Sequence, residues 1–102
     1  MILKYSKTGE TENIGLGQIG SGVLDDGESV TNLGTKVVVA ITMLEDTTFT
    51  TLTEENKEYT GTGTSDHGNS IVNTDTFGKG ITIFGRWTAV TCNTGLCICY
   101  LG

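Results

Sequence analysis

The sequence predicts an all-β fold: a small antiparallel β-sandwich or barrel with Gly/Thr-rich loops and a C-terminal β-hairpin. Three observations carry this. Among 102 residues Thr occurs 19 times and Gly 15, against two Ala, one Gln and one Arg. Strong helix formers are therefore scarce, while β-branched residues abound. Apolar residues gather in runs of strand length at 36–44, 81–92 and 96–101, and turn residues separate them. A chain of this size forms one domain and buries roughly 60–70% of its unfolded surface; no linker or repeat marks a second.

Residues 1–13 are polar after Met1-Ile2-Leu3 and read as an extended arm or edge strand. Between 14 and 33, glycines and Asp25-Asp26-Gly27 punctuate scattered Ile, Leu and Val, which suits short strands joined by tight turns. Asp26-Gly27 is the best turn signal there. Residues 36–44, Lys-Val-Val-Val-Ala-Ile-Thr-Met-Leu, lack alternation and predict a strand buried on both faces. After Glu45-Asp46 a Thr-rich strand over 47–52 is expected to pair with it as a two-stranded unit, one face toward water.

Residues 53–77 hold few apolar anchors, Tyr59, Ile71, Val72 and Phe77. A structureless loop of that length is uncommon in a compact domain, so it is either functional or ordered by strand additions. A helical turn over 53–58 and a short strand at Ile71-Val72 are the candidates. The chain has no Pro, which removes one device for protecting sheet edges and leaves assembly with other chains as another.

The C-terminal hairpin is expected to run from Ile81 through a turn Asn93-Thr94-Gly95 to Leu101. Its three-residue loop, with Gly95 at φ > 0, pairs Cys92 with Leu96, Ala89 with Cys99 and Trp87 with Leu101. Trp87, Ala89, Cys97 and Cys99 then share the core face with Ile81 and Ile83, and Cys92 faces away. A two-residue loop would instead set Cys92 against Cys97, so the cysteine question turns on register. Gly85 marks a candidate bulge. The last strand is apolar throughout, which implies burial of both faces and a subunit contact. Val37, Val39, Ile41, Ile81, Ile83, Trp87, Ile98, Tyr100 and Leu101 are the expected core or interface residues.

Candidate chemistry meets a plainer reading each time. Cys92, Cys97 and Cys99 form C-x4-C-x-C. Same-face neighbours on one strand lie about 6–7 Å apart, beyond the roughly 3.5–4.5 Å Cβ separation of a disulfide. Zinc sites usually show C-x2-4-C pairs instead of this C-x-C ending, so buried thiols are preferred over a site completed by His67. Gly15-Leu16-Gly17-Gln18-Ile19-Gly20 matches the dinucleotide fingerprint in letters but lacks the preceding strand and following helix that make it work. His67 beside Ser65 and Asp66 shows no nucleophile elbow. Glu54-Glu55 and Asp25-Asp26 lack the spaced ligands of a calcium loop. Trp87 could stack on a sugar, but its parity favours the core.

No catalytic residue, cofactor or metal is therefore expected, and the chain is read as a non-enzyme. The formal net charge of −6 and the dispersed cations argue against nucleic acid. No signal-peptide pattern or membrane-length apolar run occurs, so a protein made in the cytosol is expected.

Residues 77–88, Phe-Gly-Lys-Gly-Ile-Thr-Ile-Phe-Gly-Arg-Trp-Thr, with Gly95 and the ending Tyr100-Leu101-Gly102, resemble the C-terminus of small β-rich virion proteins of tailed bacteriophages. The resemblance spans about a quarter of the chain. It implies a non-catalytic capsid decoration or cement protein, made in the host cytoplasm and located on the virion. Its implied partners are the major capsid protein and copies of itself, a trimer being frequent in such proteins. The alternative is a tail- or fibre-associated module whose loop 53–77 and Trp87 contact a host glycan.

Overall fold

A computed structural model describes residues 20–63 and 68–102. These form six strands: β1 (Gly20–Leu24), β2 (Ser29–Val30), β3 (Val38–Met43), β4 (Thr48–Glu54), β5 (Thr82–Thr94) and β6 (Cys97–Leu101), with no helix among the described residues. The fold is all-β, and every pairing is antiparallel. The strand order is β1-β6-β3-β5-β2, with β4 on the other edge of β5. This sheet curls until β1 and β2 approach, Gly22 lying beside the Val30 side chain, and so nearly closes a barrel.

The central position of β3 follows from its composition. Val38, Ala40, Ile41 and Met43 are buried, and the strand hydrogen-bonds β5 on one side and β6 on the other. Its predicted pairing with the next strand does not occur, because β4 joins β5 instead. β4 buries Phe49 and Leu52 and shows Thr50 and Thr53 to water, three apart rather than two because the register against β5 shifts between Phe49 and Thr51.

The C-terminal hairpin is likewise absent. β3 lies between β5 and β6, so Gly95 and Leu96 form an arch over the end of β3. The predicted pairings of Cys92, Ala89 and Trp87 with β6 are replaced by Cys92 with Phe49, Ala89 with Thr53 and Trp87 with Val38 and Glu54. Gly95 does adopt a positive φ of 108°, but for a different reason. A Cβ there would press on the Asp46 carbonyl and lie 2.6 Å from Thr47 Oγ1. Leu96 O accepts the N–H groups of Leu44 and Glu45, and Asp26 Oδ1 accepts the Gly95 N–H at 2.7 Å.

Bulges explain why strict parity fails along β5. Register shifts occur against β3 in the stretch Phe84 to Trp87 and against β4 between Ala89 and Trp87. The first places a bulge where Gly85 was expected to mark one. The second inserts Thr88, so the core-facing side moves from Trp87 to Val90 and Cys92. Cys92 therefore faces the core, and Ile81, expected inside, is 49% exposed.

The loop after β4 is ordered by strand-like additions. Thr62 exchanges hydrogen bonds with Leu52, and Phe77 and Thr47 exchange two at 2.8 and 2.9 Å. These satisfy the free edge of β4, as buried backbone groups must be. Residues 55–59 form turns in place of the expected helical turn, and Ile71 donates to Gly61 O without making a strand. Asp25-Asp26-Gly27-Glu28 makes the predicted turn, Glu28 N–H reaching Asp25 O at 3.0 Å. The arm 1–13, most of the Gly15–Gly20 pattern and His67 lie outside the described residues.

Candidate functional site

The C-terminal strands carry the residues with most chemical potential, and two of the three groups are committed to the interior. Cys92, Cys97 and Cys99 are free thiols in the core. Burial first, then Cys97 and the Asp25 and Asp26 carboxylates, push the Cys92 thiol up to about 12. Hydrogen bonding to Cys99 and then burial push Cys97 up as well. Thiols held protonated are poor nucleophiles and poor ligands. Among the described residues no three His, Cys, Asp or Glu side chains converge on a metal-binding geometry.

Trp87 is 2% exposed. Its Nε1–H donates to Thr60 O at 2.7 Å, and its ring lies across Gly85, where a Cβ would meet Cζ2 at 2.5 Å. The indole thus pins the loop after β4 and offers no face to a sugar. Arg86 points out and grips Glu55 through Nε at 2.6 Å and NH2 at 3.2 Å. That bond lowers the Glu55 pKa and raises that of Arg86.

The third group is on the outside of the sheet. Registers set Ser21, Tyr100, Ala40 and Phe84 side by side across β1, β6, β3 and β5. The next row is Val23, Ile98, Thr42 and Thr82, and the Thr42 and Thr82 hydroxyls bond at 2.9 Å. Their inward neighbours, Leu24, Cys97, Cys99, Ile41 and Ile83, belong to the core, so these two rows face away from it. None of the eight positions is charged. Phe84 is 68% and Val23 56% exposed, and Ile98 and Tyr100 are half-buried.

No family model, curated protein or solved structure matches this chain.

Of the residues expected at the core or an interface, Val37, Ile41 and Trp87 are buried. Ile83 and Leu101 pack against the core, and Val39 is half-buried. Ile98 and Tyr100 lie on the outer face, so β6 is covered on one side only. Phe84 and Val23 are the residues sequence reasoning missed. A signal for Phe84 exists: it shares parity with Thr82, Arg86 and Thr88, the polar side of β5.

Proposed function

We propose that this chain is a non-catalytic structural protein of a virion, one that decorates or cements a capsid shell through contacts with the major capsid protein and with copies of itself. The observation that carries the reading is the uncharged outer face of β1, β6, β3 and β5, on which Phe84 and Val23 stand exposed, on a chain of net charge −6. Net charge keeps a small protein dispersed, whereas a contiguous exposed apolar patch marks a surface made to be covered. The likeness of residues 77–88 to phage virion proteins supports the same reading, since that segment supplies Phe84. The alternative glycan-binding module is weakened, because Trp87 has no exposed face to stack on a sugar.

The test is co-sedimentation of the purified protein with shells assembled from a capsid protein encoded beside it. Stoichiometric, saturable binding is the expected result. Shells that pellet without the protein, or neighbouring genes that encode no virion component, would overturn the assignment.

A further inference from the structure

We propose that the partner of the outer sheet face is the same face of a second copy of this chain, related by a twofold axis running along the strands between β6 and β3. This rests on the reading that the face is an assembly surface, and it names the occupant. Rotation about such an axis sets β5 over β1 and β3 over β6 while each row stays level. Phe84 then covers Ser21 of the other copy, and Tyr100 lies over Ala40, which its own neighbours already bury. In the next row Val23 covers Thr82 and Ile98 covers Thr42.

Every large side chain thus meets a small one, the alternation that lets two layers interdigitate. Beyond these rows Leu44 and Leu96, joined by a 2.8 Å backbone bond, exchange places with each other. The match is isologous: each contact occurs twice, as a twofold requires. Electrostatics select the same occupant. A basic partner would seek carboxylates, and this face has none. Two acidic copies can approach only through an uncharged surface, and these rows supply one.

Two rows across four strands and a third across two, with strands about 4.8 Å and rows about 6.7 Å apart, give roughly 300 Å² of projected face per copy. Pairing removes on the order of 1,000 Å² of accessible surface in all, which places the dimer in the weak, concentration-dependent class.

Sedimentation equilibrium of the full chain, without capsids, over about 1–300 µM brackets a micromolar Kd. A dimer mass at the upper end is expected. Phe84→Lys is expected to weaken it at least about 30-fold, the effect of losing an aromatic anchor and placing a charge in the contact. Val72→Lys, exposed but off the sheet, leaves it unchanged. Native fluorescence of Trp87 in the Phe84→Lys protein confirms folding. In a Val23→Cys/Thr82→Cys variant the two positions lie three strands apart within one copy, too far to bond. Oxidation should therefore give covalent dimers only.

Monomer at every concentration, or a dimer indifferent to Phe84→Lys and without cross-links, would overturn the pairing. Monomer that still binds shells sinks the pairing alone, and a dimer that ignores shells sinks the capsid role alone.

Discussion

Gly95→Ala separates an arch from a hairpin. At the exposed tip of a hairpin, Ala at positive φ costs about 1–2 kcal/mol of conformational strain, partly offset by about 0.4–1 kcal/mol from a stiffer unfolded chain. In the arch, the new methyl is driven against the Asp46 carbonyl and lies 2.8 Å from Thr47 Cα. Both are backbone at the head of β4, so relief requires moving the β3–β4 connection, at about 1–3 kcal/mol more. The total is about 2–4 kcal/mol.

Gly27→Ala is the internal control, with φ 77° and nothing within 4 Å of the added carbon; about 1 kcal/mol is expected there. With a urea m-value of about 1–2 kcal/mol per M, Gly95→Ala should lower the midpoint by roughly 2 M and Gly27→Ala by about 0.5–1 M. Equal small shifts would refute the arch and restore the paired hairpin.

The other predictions concern the buried thiols and the loop anchors. Unfolded cysteine deprotonates near pH 8.5, whereas folded Cys92 keeps its proton to about 12. The unfolded state then binds fewer protons than the native one, so stability is full below about pH 8.5. It falls by up to about 1.4 kcal/mol per pH unit above that, and Cys92→Ala should flatten the slope of urea midpoint against pH. Native protein should react with a thiol reagent only at its unfolding rate. Trp87→Phe removes the donor to Thr60 O and should cost about 1–2 kcal/mol by far-ultraviolet circular dichroism in urea, with faster proteolysis in 55–63. Arg86→Ala breaks an exposed ion pair and should leave the thermal midpoint within error at low and high salt alike.

Much of the fold was legible because composition and run length speak for strands. The apolar stretch around Ile41 reads as a buried strand, and β3 is the most enclosed strand of the sheet. Asp26-Gly27 reads as a turn because its backbone needs are local. Partner choice was not legible. Asn93-Thr94-Gly95 carries the letters of a hairpin loop, yet Gly95 answers a contact with Asp46 and Thr47 far away in sequence. Parity misled for a similar reason: the bulge at Thr88 reverses which side of β5 faces inward, and no residue type announces it. Cys92, which parity points outward, therefore lies in the core.

The pairing of Gly20 with Leu101 has a consequence for synthesis. Among the described residues β1 has β6 as its only ladder partner, and β3 needs β6 on one flank and β5 on the other. A nascent chain therefore holds β1 and one flank of β3 unsatisfied until β6 has left the ribosome, and these strands cannot pair in stages as they emerge. Closure awaits long-range pairing, in the millisecond-to-second regime of such topologies. Until then the unpaired edges are exposed to neighbouring nascent chains, so crowded expression should favour aggregation and slower translation should give little relief.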